Sequence, residues 1–412
     1  MQIWLINPFD ELPGEGPEQR YAALARVFLE QGHEVLWVSC AFRHRTKQHA
    51  DAGLQSRELP KGMSETPPSA ARLSVCLVAA PGYGGNLTPQ RLWSHRCWGK
   101  RIVRELGQKV AAGALTPPDR IIASTPPLEG AEAAIRLGKK FGAKVTVDFM
   151  DDWPRTWLQA LPARRVIQSL GRIALSPWQR AATRIMQTAD TVSAQSEFFA
   201  RRAVELGHPG DVHVCYLGER PLPGLSKPQP APEMFTVLYL GAMGRIYDLE
   251  SVLRAAKWAK EQGKPWKWVL AGSDPGQSWQ TRAEQLGLSS DVTFPGYVSE
   301  RALWDVLTQA DVGLVPMDPR SGVAVPYKAC HYLAAGLPVV NTLPGELSAL
   351  LTAYGAGATV PHRSPETLYK AVAAYADNPE GHAKAREAAL ALFAAEFDRN
   401  HIYPRWADWI LT

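Results

Sequence analysis

Apolar positions along the chain follow two rhythms. Short continuous runs recur at Ile3–Ile6, Glu34–Val38, Leu73–Val78, Arg120–Ala123, Lys144–Phe149 and Thr191–Ala194. Runs of this length, bounded by Gly, Pro and polar residues, predict buried strands. Between them the period lengthens to that of a helix. Leu24, Val27 and Phe28 form one apolar face over about residues 18–31, and Gly32 stops it. Residues 130–141 and 179–189 read the same way. Strands alternating with helices imply a mainly parallel sheet covered on both faces.

Pro221 to Pro232 breaks the rhythm with prolines at 221, 223, 228, 230 and 232. So many prolines deny both helix and central strand, which predicts an extended connector. The alternation then restarts. Strands are expected at Phe235–Leu240, Trp268–Ala271, Val292–Pro295, Val312–Val315 and Pro338–Asn341. Helices are expected at Leu249–Gln262, Gln280–Leu286, Glu300–Gln309, Tyr327–Ala335, Glu366–Ala376 and Glu380–Phe393. The class is α/β. Two doubly wound domains are expected at 1–220 and 235–396, with a linker at 221–234. The tail 397–412 carries Tyr403, Trp406, Trp409 and Ile410. Exposing it would be costly, so it is expected to return to the first domain.

Composition narrows the setting. The 412 residues are 46% hydrophobic and 21% charged, enough for two globular cores. No run approaches the ~20 apolar residues of a membrane span, and the opening run is too short for a signal peptide. Cys40, Cys76, Cys97, Cys215 and Cys330 are odd in number and lack CxxC spacing. That argues against a disulfide framework or zinc site and for reducing cytoplasm. Residues 1–220 hold 28 Lys+Arg against 21 Asp+Glu, giving +7, whereas the remainder holds 17 against 19, giving −2. The first half is the better candidate to meet an anionic partner; a mildly basic surface is the competing reading.

In doubly wound sheets ligands sit beyond the carboxyl ends of strands. The first such loop, Asn7–Gly16, carries Gly14 and Gly16. The loop after Phe235–Leu240 reads Gly241-Ala242-Met243-Gly244-Arg245, which suits a diphosphate through amide donors, a helix end and a cation, although it is no GxGxxG fingerprint and a purely structural loop competes at least equally. Gly272 and Ser273 end another strand, and Tyr297 and Val298 can wall a base, with a buried structural turn as the competing reading. Ser124-Thr125-Pro126-Pro127 and Asp151-Asp152-Trp153-Pro154 end strands of the first half. Burying unpaired carboxylates is costly, so one acid of the pair reads as a base or orienter for an acceptor hydroxyl. A simple helix cap is the alternative, and chemistry alone does not choose between Asp151 and Asp152. Arg91–Arg101 is basic and holds Trp93 and Trp98, a composition suited to a membrane surface or anionic headgroup. Its apolar and basic positions do not separate at helical period. A solvated face with both tryptophans packed inward competes. No motif supports nucleic-acid binding.

The segment Pro326 to Asn341, P-Y-K-A-C-H-Y-L-A-A-G-L-P-V-V-N, joins a loop, a helix, the stop at Gly336 and a buried strand. Together with G-E-G-P-E-Q-R-Y (14–21), S-T-P-P (124–127), D-D-W-P (151–154), Y-L-G-A-M-G-R (239–245), L-A-G-S-D (270–274), F-P-G-Y-V (294–298) and A-D-V-G-L-V-P (310–316), it resembles the family 4 glycosyltransferases of GT-B fold. The likeness spans nearly the whole chain and is nearest to bacterial enzymes that build O-antigen and other surface polysaccharides. It implies two Rossmann-like domains facing a cleft, a nucleotide-sugar donor on the second and an acceptor on the first. It also implies retention of anomeric configuration, with no cofactor and no required metal.

By position the resemblance puts Gly14 and Gly16 beside the transferred sugar, and Gly241, Gly244 and Arg245 at the diphosphate. Tyr297 and Val298 fall at the base, and Lys328 and His331 near the sugar or ribose. Asp151 faces the acceptor, and Arg245 and Lys328 are its candidate catalytic partners. Thr125, Asp152, Gly272, Ser273, Pro326 and Tyr327 complete the expected substrate contacts. The chain departs from the family pattern at Val323 and His331, where glutamates are usual, and at Ala242 and Tyr247, where an arginine and a lysine are usual. The implied activity is transfer of a hexose or aminohexose from a UDP- or GDP-sugar to a glycan or lipid-linked acceptor. The implied setting is the cytoplasm, with a peripheral membrane contact through the basic first domain. A nucleotide-sugar epimerase or hydrolase, or a non-catalytic sugar-nucleotide binder, are the alternatives.

Overall fold

The computed structural model describes residues 1–57, 72–86, 88–162, 164–222 and 234–412. The proline-rich connector expected at 221–234 lies, apart from its ends, outside the described residues. The chain divides into two compact units, Met1–Tyr216 with Tyr403–Thr412, and Leu217–Ile402.

The first unit is built on an eight-stranded sheet. Its order is Val212–Val214, Thr191–Ala194, Lys144–Phe149, Arg120–Thr125, Gln2–Ile6, Glu34–Cys40, Arg72–Val78 and Gly53–Arg57. All pairs are parallel except the last. That edge strand and Val212–Val214 escape a sequence reading because they are short and lie at the sheet margins, where only one neighbour constrains them. Helix Pro89–Ala111 was hidden because its buried face sets Trp98, Ile102 and Leu106 among polar residues and glycines. Only one of its two tryptophans packs inward; Trp93 is 62% exposed. The helix expected from Gln179 begins at Arg165 and carries Pro177 inside it.

The aromatic tail forms helix Arg399–Leu411, with Tyr403–Thr412 belonging to the first unit. Trp406 is fully buried, and the Arg20 guanidinium stands 4.0 Å from its ring centre. Arg20 also donates twice to the buried Asp148, at 2.9 and 3.0 Å, and once to the Tyr216 carbonyl at 3.0 Å. Ser193 Oγ donates to the same carboxylate at 2.9 Å. A charge this deep is tolerable because every strong donor and acceptor is matched. One arginine thus ties the first helix, a central strand and the returning tail together.

The second unit is a six-stranded, fully parallel sheet in the order Val292–Gly296, Lys267–Ala271, Thr236–Leu240, Val312–Val315, Val339–Asn341 and Gly357–Thr359. The chain runs outward in one direction from Thr236–Leu240, then crosses back to place Val312–Val315 on its other side. Such a reversal leaves a crevice beyond the strands' carboxyl ends. Among the described residues no helix is long and apolar enough to cross a membrane.

Replacing Arg20 alone by Leu strands Asp148 and is expected to lower stability by about 3–5 kcal/mol in chemical denaturation. Replacing Arg20 and Asp148 together by Leu should recover most of that loss. Equal losses in the single and double variants would show that the pair is not what holds these elements.

Candidate functional site

A cavity of about 610 Å³ opens at the crevice of the second unit. Three successive strand ends build one wall. The Gly241 amide donates to the Ala271 carbonyl at 2.9 Å, and the Gly272 amide to the Gly296 carbonyl at 2.8 Å. Gly272 has φ +149°, and a Cβ there would run into the Gly241 carbonyl oxygen. Gly241 has φ +123°, and a Cβ there would stand 3.0 Å from Lys328 Nζ. These two glycines are therefore required by backbone conformation and by closeness of approach.

The opposite wall is helix Tyr327–Ala334, which works through two pairs of residues one turn apart. The first pair faces the strand ends. Tyr332 is fully buried; its hydroxyl accepts from the Leu240 amide at 2.7 Å and donates to the Leu314 carbonyl at 3.2 Å. That locks the helix onto the two strands flanking the crevice. One turn earlier, Lys328 Nζ stands 4.0 Å from the Tyr239 ring centre and 3.9 Å from that of Tyr247. Its ammonium has no hydrogen-bond partner among the described residues. Burial pushes its pKa down to about 7. The ring faces return some of the lost hydration energy but supply no negative charge.

The second pair is Tyr327 and His331. Both reach Glu219, whose carboxylate accepts from the Tyr327 hydroxyl at 2.7 Å and stands 2.9 Å from His331 Nδ1. The approach to His331 lies off the hydrogen-bond axis, so that contact is electrostatic first. Burial pushes Glu219 up, but His331, Tyr327 and the Arg220 amide outweigh it and hold the group at about 2. Glu219 is placed by backbone: its amide donates to the Phe397 carbonyl at 2.8 Å, and the Arg399 amide donates back at 3.0 Å. A carboxylate beside Nδ1 favours the tautomer with its proton on that nitrogen, which makes Nε2 the ring's candidate acceptor.

Of the residues predicted in the second half, Gly241, Gly272, Ser273, Tyr297, Val298, Pro326, Tyr327, Lys328 and His331 all line this cavity. Val323, Ala242 and Tyr247, the positions that depart from the family pattern, line it too. Gly244 and Arg245 are exposed and outside its lining. Sequence reasoning missed Glu219 because it lies far upstream in an unremarkable stretch, next to the proline run. It missed the tyrosine box because Tyr239 reads as a strand residue.

In the first unit Gly14 and Gly16 are exposed on their loop. Thr125 is fully buried, and its carbonyl accepts from the amides of Met150 and Asp151 at 2.9 and 3.3 Å. The two acids of the pair differ. Asp152 is buried and accepts from Arg202 Nε at 2.8 Å. Asp151 accepts from Trp153 Nε1 at 3.0 Å and Thr156 Oγ1 at 2.7 Å, with burial raising its pKa. Nearby, the Arg91 guanidinium lies 4.7 Å from the Trp153 ring centre, and His95 stacks on the same tryptophan. Among the described residues no group of three or more His, Cys, Asp or Glu is placed to hold a metal ion.

Residues 234–378 match the family described as Glycosyl transferases group 1. The chain carries a group 1 glycosyltransferase domain. That domain contains every strand of the second sheet and the whole lining of the cavity. Over 202 residues the chain is 26% identical to WcaL of Escherichia coli K12, a protein named as a colanic acid biosynthesis glycosyltransferase; the match covers 46% of this chain and 48% of WcaL. The chain thus spans about half the length of the curated relatives it matches. Among solved structures, sucrose-phosphate synthase from Thermosynechococcus elongatus aligns over 99% of this chain and 98% of its own, with a TM-score of 0.67 and 17% identity. Anabaena HepE in complex with UDP aligns over 100% of both chains, with a TM-score of 0.65 and 14% identity. The fold is that of the GT-B glycosyltransferases.

An unpaired buried ammonium should leave a mark on stability. Below pH 7 Lys328 is charged in both folded and unfolded chains, so its burial penalty is fully present. As pH rises from about 7 towards the unfolded value of about 10.4, the folded form loses its proton first and the penalty fades. Lys328→Met is therefore expected to melt higher than the parent at pH 6, with the gap shrinking by pH 9. A gap independent of pH would mean the ammonium is not desolvated.

Proposed function

We propose that the chain is a retaining glycosyltransferase of bacterial surface-polysaccharide synthesis. It moves a hexose or aminohexose from a UDP- or GDP-sugar to a glycan or lipid-linked acceptor. One observation carries the reading: Lys328 is a cation held out of water without an anion, in a cavity walled by glycine backbone and a helix N-terminus. A diphosphate supplies the missing charge. Tyr297, 84% exposed at the cavity wall beside Val298, offers a face to the base. His331 Nε2, set by Glu219, accepts from a sugar or ribose hydroxyl, the task a carboxylate would otherwise perform. WcaL is named for colanic acid biosynthesis, and the HepE neighbour was solved with UDP, both consistent with this reading.

In the proposed reaction the bond between the anomeric carbon and the diphosphate breaks. The acceptor oxygen bonds to that carbon from the side the diphosphate leaves, and the acceptor proton passes to the departing phosphate. Lys328 neutralises the charge that grows on the leaving group. Arg245 is an exposed cation on the loop that carries Gly241 and Gly244, and its contact with the donor is part of the proposal. In the first unit Asp151, beside Thr125, is our candidate for orienting the acceptor hydroxyl. We place the reaction in the cytoplasm, at the inner face of the membrane, with no cofactor and no required metal.

A thermal-shift and donor-consumption screen over UDP-, GDP-, ADP-, TDP- and CMP-sugars tests the reading. Stabilisation and turnover with a UDP- or GDP-sugar are expected, and no shift with any nucleotide would overturn it. With the donor in hand, Lys328→Met should lower kcat by about 100-fold, more than Arg245→Ala does. Glu219→Gln should weaken nucleotide binding by about tenfold in calorimetry, the loss expected when one charge-assisted contact is removed. Unchanged affinity would remove the Glu219–His331 pair from the donor site.

A further inference from the structure

Helix Arg165–Thr188 is only half used by the core of its own unit. Its later turns bury Ala181, Ala182, Ile185 and Met186. Its earlier turns leave Val166 71%, Leu170 61% and Ile173 71% exposed. Spacings of four and three put these side chains on one face, and the exposed Pro177 continues the line. Single exposed aliphatics are ordinary on any protein surface; a row of three on one helix face is not.

Charge along the same segment is one-sided. Between Asp152 and Asp190 the chain has arginines at 155, 164, 165, 172, 180 and 184 and no acidic residue. All six are exposed. At 100° per residue Arg165 and Arg172 border one side of the aliphatic row, and Arg180 and Arg184 extend it beyond Pro177. Arg184 also lines a cavity of about 350 Å³ with Arg96, Lys100 and Arg136, where Glu129 and Glu132 are the acids. Arg184 already pairs with Glu132 at 3.0 Å, and burial pushes Glu129 up to about 7. At neutral pH the cavity therefore keeps an excess of positive charge.

We propose that this face of helix Arg165–Pro177 is a docking surface for an anionic bilayer. The aliphatic row enters the boundary between headgroups and acyl chains, and the flanking arginines pair with lipid phosphates. The cavity of Arg96, Lys100, Arg136 and Arg184 receives one headgroup phosphate. An amphipathic helix lying in the membrane plane needs this combination of an apolar line and a basic flank. A second copy of the chain fits poorly, because a twofold contact would set the arginine row against itself. The proposal does not depend on glycosyl transfer; the chain would dock with or without turnover. Segment Arg91–Arg101 then contributes only through Arg96 and Lys100 in that cavity, since its Trp98 is buried.

Co-sedimentation of the full chain with vesicles of phosphatidylcholine, with and without phosphatidylglycerol, tests it. The parent should bind phosphatidylglycerol vesicles at least about tenfold more tightly, with binding weakened by salt. The doubly substituted chains Leu170→Gln with Ile173→Gln, and Arg165→Gln with Arg172→Gln, should each lose about tenfold or more. Their melting temperatures and nucleotide-induced shifts should stay at parental values, since all four side chains are exposed. Binding indifferent to phosphatidylglycerol, or equal binding by parent and both variants, would overturn the proposal. So would a parental dimer that the Leu170/Ile173 variant dissociates without any change in vesicle binding.

Discussion

A lysine ammonium at the mouth of a parallel sheet, boxed by two tyrosine rings and without an anion among the described residues, imposes order on everything near it. Keeping a cation out of water costs several kcal/mol unless charge or hydrogen bonds replace the lost solvent. The two ring faces at 3.9 and 4.0 Å replace part of it. A side chain at Gly241 would crowd the ammonium, and one at Gly272 would clash with the Gly241 carbonyl. The cavity is thus stable without ligand yet electrostatically incomplete, a condition that favours a compact, doubly charged group such as a diphosphate.

Helix Tyr327–Ala334 turns that local demand into a site. Its period sorts four side chains into two functions. Tyr332 and Lys328 point towards the strand ends, one as an anchor and the other as the charge. Tyr327 and His331 meet Glu219, which orients them. Anchor and charge share a face, so the hydroxyl bonds that fix Tyr332 to Leu240 and Leu314 also fix the height of Lys328 over the crevice. The helix needs no strong intrinsic propensity for this, because tertiary bonds hold it at both ends.

Most of this was legible in the chain, and the exceptions share a cause. Alternating strands and helices, the loops after Leu240 and Ala271, and the segment from Pro326 follow from local pattern, and local pattern is what a sequence displays. Helix Pro89–Ala111 did not show, because its buried face mixes Trp98, Ile102 and Leu106 with Arg91, Ser94, His95 and two glycines, which leaves no clean amphipathic sector. The early turns of helix Arg165–Thr188 did not show, because Pro177 reads as a break and the aliphatic residues before it face solvent. Glu219 did not show because its importance is entirely non-local: backbone pairing with Phe397 and Arg399 brings it to a helix more than a hundred residues later.

That non-local carboxylate changes the meaning of the residues that first look like losses. At Val323 and His331 the chain lacks the glutamates usual at these positions, and read along the sequence this suggests a weakened site. In space, His331 stands against an acid that its surroundings keep ionised far below neutral pH. An ionised acid at Nδ1 favours a proton on that nitrogen, so the ring's lone pair falls on Nε2, and His331 lines the cavity. In the proposed reading the acceptor function is therefore relayed through an imidazole rather than lost. The relay has one acceptor where a carboxylate has two oxygens, so it can hold one hydroxyl of a ligand but not bridge two. In the proposed reading, such a site asks its donor for one well-placed hydroxyl and leaves the diphosphate, through Lys328, to supply most of the binding energy.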